Sequence, residues 1–279
     1  MIVASWNCRG AGNKTFPATV QEVVRRYDIN VLCLLETRVS GCKADEVVRR
    51  CGFSNWLRVE ASGYTGGIWV LWNDHEMQVN YICSSTQLLH CEICDLRNGE
   101  KYLTSFVYGE TSRAKRMNLW HSLRTITGHL ERAWLVVRDF NTFLKPQDKL
   151  GGSPPNYQAM RNFADCVSDT GLMEIPIVGE RFTWEKKGVN ERLDWASGNL
   201  EWELNFSQSK VTHGLKFKSD HRILVINTGT GAPNSRLTTR PFKYNAAWSM
   251  EEGFTDIVGK SWNNTDWYNL LSGFLTEKK

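Results

Sequence analysis

Along residues 1–227, short apolar runs alternate with stretches in which apolar residues recur every three or four positions. The runs are rich in β-branched and aromatic residues and bounded by Gly, Asn, Asp or Ser, the pattern of strands. It predicts strands over Ile2 to Trp6, Val31 to Leu35, Gly67 to Trp72, Met77 to Cys83, Leu88 to Asp95, Lys101 to Val107 and Ala133 to Val137. Further strands are predicted over Phe182 to Glu185, Arg192 to Ala196, around Val211, and over Ile223 to Asn227. Helical spacing predicts helices over Phe16 to Tyr27, Ala44 to Cys51, Ser112 to Leu130, Tyr157 to Thr170 and Met250 to Trp262, with Gly171 as a stop after the fourth. Strands often follow strands, so hairpins are expected within a mixed α/β chain.

The segment 228–240, TGTGAPNSRLTTR, carries no apolar periodicity and reads as a linker after a main domain over 1–227. Residues 241–279 are too short for a core of their own. Their amphipathic stretch of Trp248, Phe254, Ile257, Val258 and Trp262 predicts a partly helical extension, with three readings open: docking on the main domain, pairing with a partner, or the start of a longer region.

Composition narrows the class. With 41% hydrophobic and 23% charged residues in 279, the chain is globular, not disordered. Its longest apolar runs are of strand length, far below the ~18 residues of a membrane span, so no membrane partner is expected. The N-terminus lacks the basic and long apolar regions of a secretory signal. Eight scattered cysteines are then expected to be free thiols. Cys91 and Cys94 beside His90 have C-x-x-C spacing, but the other half of a four-ligand zinc site is missing. A net charge of +4 permits a polyanionic partner without naming one.

Candidate chemistry sits where strand-like runs end, the place where α/β sheets gather functional groups. Asn7 follows IVASW, Glu36 follows VLCLL, Tyr108 follows TSFV, Asp139 and Asn141 follow AWLVVR, and Ser219, Asp220 and His221 precede ILVI. Each has an ordinary reading: Asp139 and Asn141 as a turn, Glu36 as a solvated carboxylate, His221 as a structural histidine, Tyr108 as a strand cap. Trp6, Trp72, Trp134 and Trp184 read as packing residues. Arg113, Lys115, Arg116 and Arg124 read as a solvated basic face or a contact to phosphates.

The order of these residues resembles the endonuclease/exonuclease/phosphatase, or DNase I-like, family. The motifs are SWNCRG (Ser5 to Gly10), LLETR (Leu34 to Arg38), VYG (Val107 to Gly109), DFN (Asp139 to Asn141), FTW (Phe182 to Trp184), RLDWA (Arg192 to Ala196) and SDH (Ser219 to His221). SWNCRG with GGIWVLW, VYGE and KLGGSP is more narrowly similar to the endonuclease domain of plant non-LTR (LINE-type) retrotransposons. The resemblance implies a four-layer α/β sandwich, two mixed β-sheets flanked by helices, and a Mg²⁺- or Mn²⁺-dependent hydrolase that nicks DNA in the nucleus. In a full-length element a reverse transcriptase would share the polypeptide, and on the third reading of residues 241–279 they start the region that precedes it.

It also implies roles. Glu36 is the metal ligand, aided by Asn7, since hard divalent cations prefer oxygen donors. Asp139 orients or deprotonates the attacking water, Asn141 contacts the phosphate, and Tyr108 donates to the phosphate or leaving group. His221 bonds a non-bridging oxygen, with Asp194 or Asp220 fixing its tautomer or adding to the metal field. Thr183 and Ser219 are candidates for phosphate contact or support. Arg138 stands where the family places glycine before the DFN aspartate, and a glycine there permits close approach or an unusual dihedral. The departure opens two rival readings, a catalytically impaired DNA-binding relic and a phosphoesterase of the same fold acting on small substrates.

Overall fold

The run Val31–Leu35 has no polar face because both of its faces are covered. Val31, Cys33 and Leu35 enter one apolar core and Leu32 and Leu34 another. The same division of odd and even positions runs through the other central strands and builds the layers. The computed structural model describes residues 1–128, 131–229 and Asp256. The 230–240 part of the linker and the rest of the Met250 to Trp262 helix lie outside the described residues.

In chain order the elements are β1 (Ile2–Asn7), α1 (Phe16–Tyr27), β2 (Val31–Leu35), α2 (Gly41–Arg50), β3 (Asn55–Ser62), β4 (Thr65–Trp72), β5 (Met77–Ser85), β6 (Leu88–Asp95) and β7 (Lys101–Tyr108). There follow α3 (Arg113–Thr127), β8 (Trp134–Asp139), β9 (Lys149–Leu150), α4 (Tyr157–Asp169), β10 (Met173–Glu174), β11 (Ile177–Gly179), β12 (Trp184–Lys186), β13 (Val189–Glu191) and β14 (Asp194–Gly198). The last are α5 (Leu200–Asn205), β15 (Lys210–Lys216) and β16 (Arg222–Asn227).

A seven-stranded sheet has the order β11-β15-β16-β1-β2-β4-β3, and a six-stranded sheet the order β10-β14-β8-β7-β6-β5. Both are mixed: β1 and β2 are parallel, as are β7 and β8, while β16 runs antiparallel to β1 and β14 antiparallel to β8. Between the sheets lies a core that includes Val3, Val31, Ile68 and Val70 from one and Ile93, Phe106, Leu135 and Val137 from the other. Ala4, Leu32, Trp69 and Val225 on the outer face of the first sheet meet Val20 and Val23 of α1 and Val47 and Val48 of α2. On the outer face of the second, Val107, Val136 and Trp195 meet Leu119 and Trp120 of α3 and Phe163 of α4. The four layers are those of the DNase I-like sandwich. A small sheet, β12-β13-β9, completes it.

Helix ends follow local chemistry. Pro17 occupies the first turn of α1, where its missing N–H costs nothing, and Asp28 closes it in the left-handed region at φ 53°. The Asn156 side chain caps α4 by accepting from Ala159 N at 3.0 Å.

Several elements escape the sequence pattern: β3, the short strands β9, β10, β11 and β13, and α5. β3 is an edge strand whose positions are mostly half-buried, so its alternation is blurred by Arg58 and Glu60. α5 has six residues and buries only Trp202, too short for periodicity to register. Boundaries also move, and two of the shifts bear on the site: β8 extends to Asp139 instead of ending at Val137, and β14 begins at Asp194 instead of Arg192. Direct pairing of Asp139 with Asp194 accounts for both shifts. Arg116 is a correction to the solvated-face reading of α3, because it is buried and its guanidinium donates to the carbonyls of Glu110 and Thr111.

Candidate active site

The parallel pair β1 and β2 ends at Asn7 and Leu35, and the parallel pair β7 and β8 ends at Tyr108 and Asp139. β14 and β16 run the other way and start at the same end, which brings in Asp194 and His221. Parity sets direction. Asn7 shares a face with Val3, Tyr108 with Phe106, Asp139 with Val137 and Asp194 with Ala196, and all four of these partners line the inter-sheet core. The polar ends therefore converge between the sheets at one edge of the sandwich.

Glu36 breaks the alternation, since a regular continuation of β2 would turn it toward the helices. Its φ of 53° is left-handed and re-aims the side chain inward. There the Tyr108 hydroxyl donates to Oε1 at 2.5 Å, and Arg38, also left-handed at φ 55°, donates to Oε2 at 2.6 Å. Gly67 makes room for this turn: a Cβ there would lie 2.3 Å from Thr37 Oγ1. Burial first, then the bond to Glu36, push the Tyr108 phenol up, so it stays a protonated donor.

Asp139 is fully buried at the centre. Oδ2 accepts from Asn7 Nδ2 at 2.7 Å, and Oδ1 from the Asn141 backbone N–H at 2.9 Å. The Asn141 amide in turn donates to the Gly109 carbonyl at 2.7 Å. Asp194 bonds His221 Nδ1 at 3.0 Å, and Asp139 Oδ2 lies 3.9 Å from the same nitrogen. Burial and the facing Asp194 raise Asp139 above the usual carboxylate range, against the opposing pull of His221 and Asn7. For His221 burial favours the neutral ring, but Asp194 and Asp139 outweigh it and hold the imidazole up at about 9. The ring is cationic at neutral pH.

The structure brings Asn7, Glu36, Tyr108, Asp139, Asn141, Asp194, Asp220 and His221 into one network and settles between the two tautomer partners. Asp194 takes Nδ1, which leaves Nε2 on the Asp220 side, 4.0 Å from Oδ1. Thr183 and Ser219 sit behind this network. Thr183 Oγ1 accepts from the N–H groups of Leu193 and Asp194, and Ser219 Oγ donates to the Asn7 carbonyl and accepts from His221 N.

Two residues were quoted in the motifs without a role. Arg9, in SWNCRG, donates from Nε to Asp220 Oδ1 at 2.8 Å and from Nη1 to both Glu36 oxygens at 3.3 and 3.4 Å. Arg38, in LLETR, holds the other side of Glu36. Burial opposes ionisation of Asp220, but the Arg9 contact prevails and keeps it below the ordinary range. Glu36, Asp220 and the Asn7 amide oxygen, linked through Arg9, are hard oxygen donors of the kind Mg²⁺ or Mn²⁺ takes. Asp139, Asp194 and His221 place three further ligand-type atoms within 4.8 Å of one another. These residues fit a divalent ion by donor type, with Arg9 already on the oxygens of the first set.

Comparison with solved structures finds the same architecture. The endonuclease domain of TRAS1, a telomere-specific non-LTR retrotransposon, superposes with a TM-score of 0.60 at 13% identity, covering 81% of this chain and 96% of that one. The 3'-5' exonuclease NExo from Neisseria meningitidis gives 0.61 at 15%, covering 81% and 99%. A mannosyl-6-phosphatase from Bacteroides thetaiotaomicron gives 0.54 at 11%, covering 81% and 98%. No curated protein sequence matches significantly. At these identities the likeness establishes the fold alone, which nucleases and phosphatases share. The sequence itself matches the model of the Endonuclease/Exonuclease/phosphatase family over residues 4–240, so both large sheets, save the first two residues of β1, and every site residue from Asn7 to His221 fall within the match. This chain, with its phosphoester-hydrolase fold, belongs to that family.

Proposed function

We propose that the chain is a divalent-metal-assisted endonuclease that nicks DNA, of the kind borne by non-LTR retrotransposons. The carrying observation is the Asp194–His221 pair set beside Asp139. A cationic imidazole, oriented through Nδ1, offers Nε2–H to a non-bridging phosphate oxygen. Asp139, raised toward neutrality by its surroundings, accepts the proton of an attacking water. Asn7 and the Asn141 N–H fix the Asp139 carboxylate so that it need not reorient during transfer. A Mg²⁺ or Mn²⁺ held by Glu36 with Asp220 would draw charge from the phosphate oxygens and ease departure of the 3′-oxygen.

DNA as substrate is supported by the retrotransposon-type motif contexts and by the nucleases among the structural relatives. Such an enzyme would act in the nucleus, where a reverse transcriptase of the same polypeptide would extend the nicked 3′-hydroxyl. Arg138 does not interrupt β8: its backbone is in register with Val107 on one side and Trp195 on the other. Regular pairing through this position supports an intact site.

The test is conversion of supercoiled plasmid to the nicked form with Mg²⁺, with and without chelator, for the chain, Asp139→Ala and Arg138→Gly. Nicking that needs both metal and Asp139 is the expected result. Silence rescued by Arg138→Gly would make the chain a decayed copy. Silence in all three would favour DNA binding without turnover or a small phosphoester substrate.

A further inference from the structure

The Arg9 guanidinium joins two carboxylates that come from different ends of the chain. Nε and Nη2 grip Asp220 in a side-on pair at 2.8 and 3.2 Å, while Nη1 reaches both Glu36 oxygens. Arg9 itself sits at φ 54°, a conformation rare outside glycine, and its backbone N–H bonds the Asn7 side-chain oxygen at 3.2 Å. The turn therefore aims the side chain back across the site. Its side chain is about a third exposed, whereas the Glu36 side chain is 5% exposed. The guanidinium thus closes the solvent side of a buried acid.

A divalent cation and this guanidinium want the same oxygens. Arg9 and Arg38 already balance the charges of Glu36 and Asp220, so an added cation would meet a neutral cluster unless one guanidinium left. Arg38 is held beside Glu36 by a neighbouring backbone turn. The two guanidiniums are about equally exposed, but Arg9 spans Glu36 and Asp220 together, so an ion taking both carboxylates must displace it, and its planar fork is matched to a phosphate once it is released.

We propose that Arg9 is a cationic latch on the metal site: its guanidinium competes with the divalent ion for Glu36 and Asp220 and must swing off them for the ion to bind. The inference rests on the reading of Glu36 as the metal ligand.

The test is calorimetric titration of Mn²⁺ into the full chain and its variants, without DNA. Arg9→Gln removes the charge-assisted contacts and is expected to tighten Mn²⁺ binding by roughly tenfold to a hundredfold. Arg9→Lys keeps the charge but loses the planar fork that pairs side-on with Asp220 while reaching Glu36, and is expected to fall between the chain and Arg9→Gln. Unchanged or weaker binding by Arg9→Gln overturns the latch, and so does a lysine variant indistinguishable from the unaltered chain. Glu36→Gln separates the two readings: Mn²⁺ affinity undiminished in that variant would refute Glu36 as ligand, a failure of the metal assignment and not of Arg9 alone.

Discussion

Asp139 and Asp194 stand directly opposite each other across the antiparallel pair of β8 and β14, with the His221 ring between their charges. Two buried carboxylates on one cross-strand pair repel, and the protonated imidazole is what allows the arrangement. The relationship makes the three side chains a single titrating unit.

Asp194→Asn removes the stronger of the two charges that hold His221 up near 9. The protonated ring then survives to a lower pH, so the alkaline limb of the cleavage profile is expected to move toward neutrality. Activity at pH 7.5 is expected to fall on the order of 10²-fold. A pH–rate profile of plasmid nicking checks both, and an unmoved alkaline limb would assign that limb to another group.

Thr183→Val preserves shape but deletes the acceptor for two buried backbone N–H groups, those of Leu193 and Asp194. The expected cost is roughly 1–3 kcal/mol for each orphaned group. Urea unfolding measures it. A support role predicts lost stability with little change in KM, whereas a phosphate contact predicts the reverse.

Gly109→Ala tests a close approach of two strand ends. The added Cβ would lie 2.6 Å from the Phe140 carbonyl oxygen, a backbone atom that cannot move without dragging Asp139 and Asn141. Phe140 is itself wedged between Trp120 and Phe163. A loss of about 1–3 kcal/mol is expected, together with most of the activity. Wild-type nicking by a fully folded variant would contradict the coupling.

His90 gives stability its own pH dependence. Trp134 Nε1 donates to Ser105 Oγ, whose hydroxyl meets His90 Nδ1 at 2.9 Å, and burial lowers the ring to about 4 from the ordinary 6.5. The fold favours the neutral ring, so this contribution is complete above pH 6.5 and is lost as pH falls toward 4. The loss amounts to about 3 kcal/mol. Urea unfolding of the chain and of His90→Gln at pH 7.5 and 4.5 should show the smaller pH difference in the variant.

Strands such as Val31–Leu35 and Leu88–Asp95 are legible in the sequence because burial on two faces concentrates β-branched and apolar residues. Asn7, Tyr108 and Asp139 are legible as polar residues at strand ends, whereas Asp194 falls inside the strand predicted over Arg192 to Ala196 and stands out only through the RLDWA motif. The inward turn of Glu36 is not, because it depends on one left-handed φ. Nor is the role of Arg9: its partner Asp220 lies 211 residues away, and no local pattern encodes which carboxylate a flexible guanidinium will find. Thr183 carries a hydroxyl suited to a phosphate, and only the fold shows it facing its own backbone.

Asn7 and the hydroxyl that bonds its carbonyl, that of Ser219, stand 212 residues apart in the chain. Most of both large sheets is translated before the site can close. A message broken ahead of β16 gives a polypeptide in which β1 lacks its antiparallel neighbour, an open strand edge prone to pairing between chains. Such a product is deprived of Asp220 and His221 as well.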